Sequence, residues 1–189
     1  MTGQAQVDAI PIESALLVLA PAADPVAEPH RRLYDNAARA GVPAHITVDY
    51  PFNPNLDAAD IASLATLFAC ASGFTAVFSS IGWFRQDVVF LSPVDPCPFA
   101  TLATAVGDAF PDWPIYGGAF DAYVPHLTLG HDQPVATLSA VETAVAKHLP
   151  IAQPVAAVDL WRGPALHGNA GRSTGRWRRI TSFPLGPAA

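Results

Sequence analysis

The chain has a single lysine, Lys147, and only 14% charged residues in 189, with a formal net charge of -6. Wrapping duplex nucleic acid rests on neutralising many phosphates with Lys and Arg, so duplex DNA is excluded as a partner class, while small or single-stranded phosphate ligands are not. Cysteine is equally scarce. Cys70 and Cys97 form no C-x-x-C, which removes zinc-knuckle and dithiol redox readings and leaves the expectation of two buried thiols in a reducing cytoplasm. No apolar run approaches the roughly 20 residues of a membrane span, and the first 13 residues carry no basic residue of the kind that opens an export signal. No phosphate-cradling G-x-x-x-x-G-K-[ST] loop and no H-E-x-x-H metal motif occur. What is abundant is apolar side chain, 51% of residues, enough for a sizeable core. One folding unit over 1–189 is expected, soluble, cytoplasmic and monomeric.

Hydrophobic periodicity predicts a buried strand over 15–20, a helix over 26–40 ending at Gly41, and a strand over 44–50. A helix over 57–71 follows, then a hairpin of strands 74–82 and 87–92 turning at Arg85-Gln86, then a helix over 99–110 that stops at Pro111. The second half has the same outline: a strand over 126–130, a helix over 135–149, and strands over 155–161 and 177–183 joined by a Gly-rich loop, 163–175. This recurrence predicts an α+β fold of two pseudo-symmetric lobes of antiparallel sheet, with outer helices and a central groove.

Each half contains one His-x-Thr strand, Ala44-His45-Ile46-Thr47-Val48 and Pro125-His126-Leu127-Thr128-Leu129. Residues i and i+2 of a strand project from the same face, so each imidazole sits beside its own hydroxyl. An imidazole holds or releases a proton near neutrality, so a pair can act as base and acid in a displacement at phosphorus, while Thr hydroxyls donate to the phosphate oxygens. No metal or other cofactor is required by such a pair. A lone His-x-Thr is more often structural; two, placed alike in similar halves, carry the functional reading.

This pair of motifs resembles the 2H phosphoesterases, which include the 2'-5' RNA ligase-like proteins and cyclic nucleotide phosphodiesterases, and the resemblance spans nearly the whole chain. It implies the two-lobed fold and hydrolysis of a 2',3'-cyclic phosphate or related 2'-linked phosphodiester of a nucleotide or single-stranded RNA end. It also implies His45 and His126 as acid and base, Thr47 and Thr128 on the phosphate, and a reverse 2'-5' ligation that needs no nucleoside triphosphate. Family members often place an arginine or tyrosine after the second motif; here Gly130-His131 stands there. On a regular strand His131 would face away, and a bulge at Gly130 would turn it inward. A non-catalytic nucleotide- or RNA-binding protein with the same fold is the alternative, for which two titrating groups have no use.

Aromatics near strand ends, Phe52, Trp83, Phe84, Tyr116 and Tyr123, are candidates for stacking on a base, and the first two with Tyr123 and His131 form the candidate substrate-binding set. Arg162, Arg172, Arg176, Arg178 and Arg179 offer a local basic wall. The G-x-S-x-G match around Ser173 lacks the later Asp and His that a hydrolase triad needs.

Overall fold

A computed structural model of the chain describes residues 11–166 and 175–188. Ser173, Arg172 and His167 therefore lie outside the described residues. The chain opens with strand β1 (Ile12–Leu19), a short 3-10 turn, and helices α1 (Asp24–Tyr34) and α2 (Asn36–Arg39). The single helix expected over 26–40 is broken at Asp35, whose extended backbone (φ -131°, ψ 122°) and carboxylate, accepting from the Ala37 N–H, start α2 afresh. Strand β2 (His45–Phe52), helix α3 (Ala58–Ala69), and the hairpin β3 (Phe74–Phe84) with β4 (Val88–Pro93) come next. Asp57 caps α3 with a reciprocal capping box to Asp60, a device that contributes about 1 kcal/mol. Helix α4 (Cys97–Ala109), strand β5 (Leu127–His131), helix α5 (Val135–Ala146) and strands β6 (Ile151–Val155), β7 (Ala157–Pro164) and β8 (Arg178–Pro184) complete the fold.

Two four-stranded antiparallel sheets result, in the orders β2-β1-β7-β8 and β5-β4-β3-β6. The α+β architecture of two lobes with helices outside is thus as expected. The lobes, however, are not the halves of the sequence. The hairpin β3–β4 of the first half pairs with β5 and β6 of the second, and β7–β8 adds to β1. The strand expected over 155–161 is really two, which pass from one sheet to the other at Ala156.

Both motif strands are sheet edges, and they come into contact. In each, the apolar residues (Ile46, Val48; Leu127, Leu129) enter the shared core while the His and Thr are only half-buried. The helices cross over. Helix α1, which links β1 to β2, packs on β5, and α4, which links β4 to β5, packs on β2. Gly130 permits the first of these contacts, since a Cβ there would lie 2.9 Å from Tyr34 Cβ. Cys70 and Cys97 are free and exposed, contrary to the expectation of buried thiols, because each lies at an end of an amphipathic helix on its solvent side.

Candidate active site

A cavity of about 220 Å³ opens where the two edge strands meet. His45 and Thr47 from β2 and Thr128 and His131 from β5 line it, with Asp35, Tyr50 and Trp177 on the surrounding wall. The register explains how. Thr47 pairs with Leu17 but Asp49 with Leu16, and Thr128 pairs with Phe90 but Gly130 with Val89. Each motif strand therefore carries one extra residue, Val48 or Leu129, directly after its Thr. A bulge shifts the alternation by one, so the third residue after each Thr, Tyr50 in one lobe and His131 in the other, faces the cavity.

The two motif histidines are held alike. His45 Nδ1 lies 2.8 Å from the Pro43 carbonyl and His126 Nδ1 lies 2.8 Å from the Val124 carbonyl. An oxygen that only accepts requires Nδ1 to carry the proton, which leaves Nε2 of both rings as the titrating nitrogen. The His126 ring is seated against Phe84 (4.8 Å between centroids) and Phe90 (5.3 Å), two residues from Thr128, rather than on the cavity wall itself. Burial first, then the nearby Arg31 charge and, least, His126 bring the pKa of His45 down to about 4, against the Pro43 carbonyl and Asp35, which raise it. Burial lowers His126 as well, opposed by its carbonyl partner and by Asp35.

Thr47 is braced from the far side. The Tyr123 hydroxyl donates to its carbonyl oxygen at 2.7 Å, and Tyr116 is hydrogen-bonded to its side chain. Burial pushes the Tyr116 phenol up to about 12, so it stays protonated.

His131 belongs to a buried charge network that sequence reasoning missed. Arg31, 1% exposed, is held by Glu28 at 2.5 Å and by Asp35 at 2.8 Å. His131 Nε2 lies 3.6 Å from Asp35 and 3.2 Å from the Asn36 N–H, while Nδ1 is 2.9 Å from Asp132. The neutral ring accepts from Asn36, whereas the protonated ring donates to both carboxylates. Asp35 first and then Asp132 raise its pKa above the ordinary value despite burial. Burial works against Asp35 ionising, but His131 and Arg31 outweigh it and hold the carboxyl at about 2. The signal for this network was present in Asp35-Asn36, a turn-forming pair inside an otherwise helical pattern.

Three of the aromatic candidates are placed away from the cavity. Phe52 is fully buried, edge-on to Phe110, because it ends β2 on its core face. Trp83 turns its Nε1–H to Glu142 of α5 at 3.1 Å, since alternation along β3 sends Phe84 rather than Trp83 toward His126. Tyr123 is committed to the Thr47 carbonyl. Of the described arginines of the last hairpin, none lines the cavity; its contribution there is Trp177, 4% exposed. Among the described residues no group of three or more His, Cys, Asp or Glu is placed to hold an ion.

A family model described as the 2'-5' RNA ligase superfamily matches residues 18–165. The chain belongs to this family, the 2H phosphoesterases. Membership makes it a 2H phosphoesterase- or ligase-like enzyme. No curated protein matches the sequence. Solved 2H-like folds do: Escherichia coli LigT complexed with 3'-AMP (18% identity, TM-score 0.55, covering 93% of this chain and 99% of that one) and TT0787 of Thermus thermophilus (18%, 0.58, 93% and 98%). A crystal structure described as a phosphoesterase is similar too, at 20% identity, TM-score 0.57, 93% and 99% coverage. At these identities the 2H likeness is one of fold.

Proposed function

We propose that this 2H protein hydrolyses 2',3'-cyclic phosphates or 2'-linked phosphodiesters of nucleotides and single-stranded RNA ends, without a metal, and joins such ends in reverse. The observation that carries the reading is the matched pair of imidazoles, each with Nδ1 tied to the carbonyl two residues upstream and each beside a Thr at the junction of two edge strands. In hydrolysis His45 takes a proton from the attacking water, a new P–O bond forms, and the displaced sugar oxygen leaves with the proton of His126. The assignment follows from electrostatics. Asp35 favours the charged form of both rings, but Arg31 disfavours a charged His45 and is not among the charges acting on His126. Thr47 and Thr128 donate to the non-bridging oxygens, where charge grows in the transition state. LigT structures with 3'-AMP and ATP are compatible with small nucleotide substrates. The two exposed, unpaired cysteines suit a reducing cytoplasm.

The test gives purified protein, in chelator, 2',3'-cyclic nucleotides, 2'-5' and 3'-5' dinucleotides, and RNA bearing cyclic-phosphate and 5'-hydroxyl ends. His45→Ala and His126→Ala each lower kcat by about 10²- to 10⁴-fold. Turnover that survives both substitutions, or that needs added metal, removes the mechanism; tight binding with no turnover of any substrate makes the protein a binder.

A further inference from the structure

A second cavity, of about 530 Å³, lies on the other side of the segment that walls the active site. Val42 lines both. Pro43, whose carbonyl receives the His45 proton, lines the second. Three arginines from three separate stretches of chain converge on it: Arg32 near the end of α1, Arg39 at the end of α2, and Arg176 just before β8. They are three of the few cations in a chain whose net charge is -6.

The local structure holds them there. The Trp177 N–H donates to the Ala40 carbonyl at 2.9 Å, which pins the strand end against the α2–β2 turn. Consecutive residues point to opposite sides, so Trp177 enters the active-site cavity and Arg176 the second one. The Arg176 guanidinium turns its Nε/Nη2 edge to Gly41, where a Cβ would stand 3.1 Å from Nε; Gly41 has φ +94°, a conformation glycine adopts without strain. Arg176 makes no ion pair among the described residues. Arg39 donates from one nitrogen to the Leu33 carbonyl, and Arg32 is 76% exposed with only a loose 3.7 Å contact to Glu28.

Two carboxylates, Glu28 and Asp24, share the wall with the three arginines. Glu28 is committed to the buried Arg31 at 2.5 Å. Asp24 has its pKa raised, first by burial and then by Glu28, while Arg31 and Arg32 act in the opposite sense. The guanidinium fork matches phosphate oxygens in geometry as well as charge.

We infer that this arginine cavity is a subsite for a second phosphate of the substrate, beyond the phosphate held in the cleft. It rests on the reading of the cleft as a phosphate site, and it makes the enzyme prefer substrates with two phosphates over a bare nucleoside cyclic phosphate. The second phosphate comes either from the backbone of an oligonucleotide or from a 5'-phosphate on a mononucleotide.

Calorimetric titration distinguishes these without turnover. The ligands are a nucleoside 2'-phosphate, a nucleoside 2',5'-bisphosphate, and a 3'-5' dinucleotide with a terminal 2'-phosphate. The proteins are wild type, Arg39→Gln, Arg176→Gln, the double variant, and Arg178→Gln as a control for general loss of charge. Wild type should bind at least one two-phosphate ligand about tenfold more tightly than the single-phosphate ligand, and the double variant should lose that preference. The slope of log affinity against log salt should fall with it, by about 0.7 for the phosphate lost. Gain for the bisphosphate indicates a 5'-phosphate subsite; gain for the dinucleotide alone indicates backbone. Equal affinity of wild type for all three ligands overturns the inference, as does equal weakening of the single-phosphate ligand or an equal effect of Arg178→Gln. If these titrations succeed while the hydrolysis assay fails, the proposed catalysis falls and the subsite stands; if turnover occurs with no second-phosphate preference, the reverse holds.

Discussion

Asp49 sits two residues after Thr47, 1% exposed, with Oδ1 lacking any hydrogen-bond partner. Burial raises its pKa to about 7 from 3.8. Between those values the folded protein keeps a proton that the unfolded chain has lost, so stability falls as pH rises through this window, by roughly 4 kcal/mol in full above pH 7. Asp49→Asn should therefore raise Tm clearly at pH 8 and little at pH 5; an equal effect at both pH values would show that the carboxyl is neutral for another reason. The motif histidines behave in the opposite sense. An unmodified imidazole pair implies limbs near 6.5, but with both pKa values depressed the acid limb of kcat/KM, which reports the free enzyme, should lie below 6.5 and toward 4. A limb at 6.5 or above would mean that the protein does not desolvate these rings. The motif residues were legible because chemistry and spacing were both local. The depressed pKa values were not, since they come from Arg31 and from burial by other elements.

At the scale of elements, the break between α1 and α2 matters most. Asp35 caps α2, pairs with buried Arg31 and faces His131, so one side chain joins three elements. Asp35→Ala removes the cap and leaves a buried guanidinium with Glu28 as its remaining carboxylate; a loss of about 3 kcal/mol in urea unfolding is expected, with the His131 pKa, followed by NMR, falling toward or below its ordinary value. Tight packing of hairpin on site gives a second expectation. A Cβ at Gly82 would meet the Phe90 ring at 2.5 Å, and that ring supports His126. Gly82→Ala should therefore lower kcat by tens of fold while the fold, read by circular dichroism, persists; unchanged kcat would mean that Phe90 moves without carrying His126. Helix and strand positions were largely legible from periodicity. The two bulges were not, because a bulge is defined by the partner strand, and without it neither Tyr50 nor His131 could be assigned to the cavity face.

For the whole molecule, the consequence of the sheet orders is that no half is self-sufficient. β1 needs β7, β3 needs β6, and α1 and α4 each cover the motif strand of the opposite sheet. A fragment ending at Asp121 retains β1–β4 but lacks β5 and β7, so it should show no cooperative urea transition; a cooperative transition of native m-value would contradict the interleaving. Mixing the lobes in this way also places both edge strands under helices from the other side, which holds the two His-x-Thr pairs in one orientation.

The sequence by itself determined the α+β class, the two motif strands, the chemistry their side chains offer, and the scarcity of cations, because composition and two-residue periodicity are properties of a chain alone. Tertiary structure decided which strands became edges, that a bulge after each Thr turns Tyr50 and His131 inward, that Phe52 and Trp83 serve the core and a helix rather than the cleft, and that three arginines from separate stretches share a cavity. Those outcomes depend on long-range partners: burial, register and electrostatic potential at a residue are set by whatever packs against it, and here that is mostly chain from the other half.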